Sequence, residues 1–134
     1  MTGTENETIY LIFVLLVVFQ LKHFIADFPL QNQYMLQKQR SDWSFVAPLA
    51  LHCSIHAALT LLIALVVEPR LWWLAIADFV IHFMMDRFKA GPRYLGRFSN
   101  ISKTSYWAAL GFDQMVHHLT HIWLIWMLIS SRLG

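Results

Sequence analysis

The sequence predicts an all-α membrane protein, a bundle of four transmembrane helices around a polar site inside the membrane. Three observations predict it. The chain of 134 residues is 57% hydrophobic and only 13% charged, where soluble domains carry roughly 25% charged residues. Its apolar residues fall into four runs long enough to cross a bilayer. Each run carries His or Asp at four-residue spacing, which puts them on one face of a helix.

The length is that of one transmembrane domain, residues 1–134. A single cysteine, Cys53, excludes an internal disulfide framework. Glu5 and Glu7 stand where a signal peptide would be basic, and no small-residue cleavage site follows, so the first run reads as a retained span.

A helix needs roughly 20 residues to cross a hydrocarbon core of about 30 Å. The first span covers residues 9–28 and closes at Pro29. The second covers 45–67 and ends at Glu68-Pro69-Arg70. The third covers 71–88 and is stopped by Gly91-Pro92; the fourth covers 106–129. Helices are required because backbone polar groups in lipid must be satisfied within the segment. A short interfacial helix is expected within residues 30–43.

Basic residues set the orientation. The loops after the first and third spans hold Lys38, Arg40, Arg93, Arg97 and Lys103, with Arg87 and Lys89 at the edge. The opposite side offers only Arg70 and Arg132. By the positive-inside rule the two longer loops are cytoplasmic and both termini lie outside. Trp72, Trp73, Trp123 and Trp126 fit interfacial anchors and lipid-facing bulk.

Six of the seven histidines have a His or Asp partner four residues away. The rows are His23 and Asp27; His52 and His56; Asp78, His82 and Asp86; and Asp113, His117 and His121. His118 stands outside them. Successive members rise about 6 Å along the axis, so each helix has a polar stripe that cannot sensibly face lipid, and the stripes must meet. With the orientation read from lysine and arginine alone, all four stripes fall at compatible depths in the cytoplasmic half. An Asp in mid-membrane costs about 2.5–3.5 kcal/mol on insertion scales, a burden a bound cation would relieve.

Three uses compete. Interhelical hydrogen bonding usually draws on Ser, Thr, Asn and Gln, which these spans use sparingly. A proton relay is built from Asp and His chains. A metal site suits this donor set best: His with Asp favours Zn, Mn, Fe or Ni over Cu(I). Ten candidates exceed the needs of one ion, so a pair of divalent transition-metal ions (Zn, Mn or Fe) is expected, as in di-metal carboxylate bundles. His52, His56, His82, Asp86, Asp113 and His117 are the favoured ligands. His23, Asp27, Asp78 and His121 are ligands or the partners that orient them. Gln114, beside Asp113, reads as a hydrogen-bonding partner, and Cys53 as packing.

The segments "HFIADFPLQ", "LHCSIHA", "DFVIHFMMDRFK" and "DQMVHHLTH" together resemble a family of small bacterial and phage-borne inner-membrane proteins catalogued only as a domain of unknown function. That resemblance implies a multi-span protein of the bacterial inner membrane and supplies no activity. A looser similarity links the rows to membrane-bound metal-dependent hydrolases. The third row is also similar to the Asp-rich motif of CDP-alcohol phosphotransferases, but it departs by placing His82 between the acids.

The expected function is a metal-dependent hydrolase acting on a lipid-linked or amphipathic anionic substrate from the cytoplasmic side. Asp27 or a free His would be the general base, and Lys89 would hold the anion or reach for the headgroups. A metal-ion or proton transporter or sensor, a di-iron lipid-modifying oxidoreductase and a structural subunit are the alternatives. The bilayer and a phosphate-containing substrate are the expected partners, nucleic acid is not, and a transporter of so few spans would need a homo-oligomer.

Overall fold

A computed structural model describes residues 3–133. Among these residues the protein is all-helical, with no strand. Its four α-helices are α1 (Gly3–Asp27), α2 (Val46–Val67), α3 (Leu74–Ala90) and α4 (Thr104–Leu133). Single 3-10 turns occur at Met35–Gln39, Trp43–Phe45, Pro69–Leu71 and Leu95–Arg97.

Local chemistry explains the boundaries. α1 runs uninterrupted to Asp27 and stops before Pro29, which disfavours helical backbone in the residue ahead of it. The turn leading into α2 is capped by Asp42, whose carboxylate accepts the Ser44 amide N–H at 3.0 Å and also the Ser44 hydroxyl. Those hydrogen bonds hold the Asp42 carboxyl below its ordinary range. Pro48 falls in the first turn of α2, where its missing N–H costs nothing. Pro69 closes α2 into the Pro69–Leu71 turn, so α3 begins at Leu74, three residues later than the sequence suggests.

The helices close a ring, each of α1, α2, α3 and α4 packing on the next and α4 back on α1, with α2 and α3 the most intimate pair. The interior has two layers. One end is apolar: Leu15, Phe19, Ala64, Leu74, Leu124 and Leu128 form one buried cluster. The other end is polar and holds the His/Asp rows, all buried except Asp27, which is partly exposed. The long connections 28–45 and 91–103 lie at that polar end. The first is latched onto α3: Lys38 donates to Asp86 at 2.7 Å, and Arg87 donates to the Arg40 carbonyl at 2.9 Å. The Arg87 guanidinium also covers the Phe45 ring at 3.5 Å. The short helix expected within 30–43 is a 3-10 helix at Met35–Gln39, followed by a second turn at Trp43–Phe45, with Met35 tucked inside.

Two segments, Glu5–Asp27 and Trp43–Val67, are long and apolar enough to cross a membrane. α3 and α4 fall short of that standard. α3 has 17 residues and includes Asp78, Asp86, Arg87 and Lys89; α4 carries three rungs of its own polar row.

Candidate metal centre

The four-residue spacing turns each row toward the bundle axis, and the antiparallel ring brings the rows to one level. Asp27 is the first focus. Its Oδ1 lies 3.0 Å from His56 Nε2 and 3.4 Å from His52 Nε2, and its Oδ2 lies 3.0 Å from His23 Nε2. Asp86 is the second: Oδ2 is 3.2 Å from His52 Nε2, and Oδ1 is 3.2 Å from His117 Nε2. His52 thus sits between the two carboxylates. His117 similarly touches Asp113 Oδ1 at 3.2 Å. His82 stacks between His56 and His117, at centroid distances of 3.9 and 4.1 Å.

These separations fit two kinds of contact, a hydrogen bond and shared coordination of an ion. A neutral imidazole carries one N–H, so His52 Nε2 can make a full hydrogen bond to only one of its two carboxylates. Donors held about 2.1 Å from a shared ion stand about 3.0 Å apart at right angles and about 3.4 Å apart at tetrahedral angles. The observed distances of 3.0–3.4 Å span that interval. Among the described residues, three sets of side chains bring one ligand atom each within 4.8 Å of one another: Asp27–His52–His56, His82–Asp86–His117, and His23–His56–His82. The sets share His56 and His82, so the centre is one contiguous cluster with two carboxylate poles.

Several buried nitrogens lack hydrogen-bond partners: Nδ1 of His23, His52, His56 and His117, and both nitrogens of His121. An unsatisfied buried polar group costs about 1–3 kcal/mol. His121 is 1% exposed, its ring 5.3 Å from that of His23.

Lysines complete the electrostatics, and the sequence reading missed their part. Lys22, buried in α1, donates to Asp78 Oδ2 at 2.6 Å, and the Thr60 hydroxyl donates to the same oxygen at 2.6 Å. Lys38 takes Asp86 and Lys89 takes Asp113, the latter at 2.9 Å. Lys89 is paired with Asp113 while its side chain stays 40% exposed. Asp27 is the ladder carboxylate with no lysine among the described residues. Two signals were available. Thr60 continues the His52–His56 row by one more step of four, and Lys22 is a charge in the middle of an apolar run. Asp78 stands one level deeper than the rest, supporting His82 Nδ1 at 3.4 Å. Gln114 ties His23 to Asp113, at 3.3 and 3.1 Å, and Cys53 packs with Phe45 and Leu49 instead of joining the cluster.

A cavity of about 380 Å³ opens beside the Asp86 pole. Lys38, Asp86 and Lys89 line its polar side, and Leu95, Phe98 and Leu110 its apolar side.

Residues 13–133 match the sequence model of a family described as protein of unknown function DUF3307, and the chain belongs to that family. No curated protein and no solved structure matches it.

Proposed function

We propose that this family member is a membrane-embedded metalloprotein, a metal-dependent hydrolase that works on lipid-linked or amphipathic anionic substrates at the cytoplasmic face of the bacterial inner membrane. The observation that carries the reading is the convergence of imidazole Nε2 and carboxylate oxygens at ion-ligand spacing, inside a bundle whose outside is apolar.

The exterior supports four crossings in place of two. Along α3, Ile76, Val80, Met84 and Phe88 form an exposed apolar row. Along α4, Phe112, Met115, Leu119, Ile122 and Trp126 do the same. Exposed apolar surface this continuous needs a partner phase, and lipid supplies one on every side. α3 is about 25 Å long, at the short limit for a span. Arg40, Arg93, Arg97 and Lys103 at the polar end favour placing that end in the cytoplasm.

A bound ion would lower the pKa of a coordinated water toward about 7 and stabilise an anionic transition state. The chain's own residues divide the remaining tasks. Asp27 presents Oδ1 toward His52 and His56 and Oδ2 toward His23, so one oxygen can hold an ion while the other accepts a proton. Its side chain is 23% exposed, against 6% or less for Asp78, Asp86 and Asp113, which suits proton exchange. The cavity beside Asp86 offers lysines to an anion and Leu95, Phe98 and Leu110 to an acyl or prenyl chain. Past His121 the bundle is filled by Leu15, Phe19, Leu74 and Leu124, a dry layer that favours a closed pocket over a transport path.

The test is elemental analysis of the detergent-purified protein beside His52→Ala/His82→Ala. Bound Zn, Mn or Fe in the wild type, lost in the double variant, is the expected result. No metal under any loading condition refutes the reading.

A further inference from the structure

The two carboxylate poles of the cluster differ in one respect. Asp27 faces only histidines, whereas Asp86 holds Lys38 at 2.7 Å and its neighbour Asp113 holds Lys89 at 2.9 Å. The ammonium groups sit on Oδ2 of each carboxylate while Oδ1 faces His117; they offset the carboxylate charge and repel an incoming ion. Both lysines line the cavity beside Asp86, and Lys89 is 40% exposed, so an incoming anion can reach them.

We propose, resting on the metalloprotein reading above, that the Asp27 pole takes its ion unaided, while the Asp86 pole takes a second ion only together with a phosphomonoester-bearing amphiphile. The phosphate draws Lys38 and Lys89 off Asp86 and Asp113, and the carboxylates, their charge no longer offset, join His82 and His117 in holding the ion. Charge balance favours this exchange. Two carboxylates and two ammonium groups cancel, so a divalent ion added alone leaves two positive charges in a buried site. A phosphate group carries about −1.5 to −2 at neutral pH, and arriving with the ion it restores neutrality. The substrate therefore helps to assemble the site that acts on it. The lining of Leu95, Phe98, Ala109 and Leu110 beside the lysines selects an amphiphile over a bare polar anion.

The experiment counts Mn²⁺ bound per full-length chain in nanodiscs, using the resonance signal of free Mn²⁺, with empty discs subtracted. Three arms are run: phosphatidylcholine discs, the same discs with inorganic phosphate, and discs containing phosphatidic acid. One ion in the first arm and two with phosphatidic acid is the expected result. A second ion with inorganic phosphate as well overturns the selection of an amphiphile; a second ion with the lipid only supports it. Lys38→Met/Lys89→Met should bind two ions with no anion added, and Asp86→Asn should stay at one throughout. One ion in every arm, two ions in the anion-free arm of the wild type, or one anion-free ion in the double lysine variant overturns the proposal while leaving the metalloprotein reading intact. No Mn²⁺ in any arm, with no Zn or Fe bound on loading either, overturns that reading instead.

Discussion

Replacing Lys22 with methionine tests how the deep end of the cluster is held together. The Lys22–Asp78 pair is separated by 2.6 Å, with side chains 2% and 0% exposed. Met keeps most of the stem's volume and its cation-free packing beside Phe19, whose ring the ammonium now faces at 5.8 Å. The Asp78 carboxylate would retain the Thr60 hydroxyl and the long His82 contact. A hydrogen bond to a charged group contributes about 1.5–3 kcal/mol, below the cost of an uncompensated buried carboxylate. Breaking a buried pair by deleting one partner costs about 3–5 kcal/mol, while replacing both with apolar groups is often neutral or stabilising. Lys22→Met should therefore lose about 3–5 kcal/mol, and Lys22→Met/Asp78→Leu should recover most of it. The assay is reversible unfolding of the chelator-treated protein by sodium dodecyl sulfate in mixed micelles, followed by circular dichroism and arranged as a double-mutant cycle. A single variant within about 0.5 kcal/mol of wild type, or a double variant as unstable as the sum of its parts, would refute the reasoning.

Asp27→Asn keeps the shape of the lysine-free pole and removes its charge; metal affinity should fall by more than the roughly 10–100-fold that loss of a supporting partner costs, as read by competition with a fluorescent chelator. His82→Phe preserves the stack between His56 and His117 but removes the donor common to two ligand sets, so folding should persist in circular dichroism while bound metal drops. At Gly96 a Cβ would stand 2.6 Å from the Ala90 carbonyl and 2.7 Å from that of Gly91; these are backbone atoms that cannot swing aside, so Gly96→Ala should cost about 1–3 kcal/mol in the same unfolding assay. Topology can be read by thiol labelling of spheroplasts, because Cys53 is the only cysteine and it is buried. New cysteines at Gln37 and Ser99 should label only after permeabilisation, and one at Arg70 should label from outside.

Much of the architecture is legible along the chain because its signals are periodic. Apolar runs and their Pro and Gly stops locate the helices to within a few residues. The step of four that joins His52 to His56, or Asp113 to His117, is a property of a single helix, so it can be read without knowing what the helix touches. The levels of the rows follow from the same arithmetic, since antiparallel neighbours bring the end of α1 and α3 beside the start of α2 and α4. An error arose where the backbone leaves regular helix: the 3-10 turn at Pro69–Leu71 delays α3. The 28–45 connection folds into turns over the polar end, held by Arg87 and Lys38.

The sequence by itself determined an all-helical chain with four inward-facing His/Asp rows, because helical periodicity is encoded within each segment. Only the tertiary structure decided who pairs with whom. Lys22 meets Asp78 across 56 positions of sequence, and Lys38 meets Asp86 across 48. No spacing rule connects residues on different helices; their meeting depends on how each helix is rotated and seated against its neighbours. That is why Asp27 alone among the ladder acids escapes a lysine, a difference between the two poles that only the packed bundle reveals.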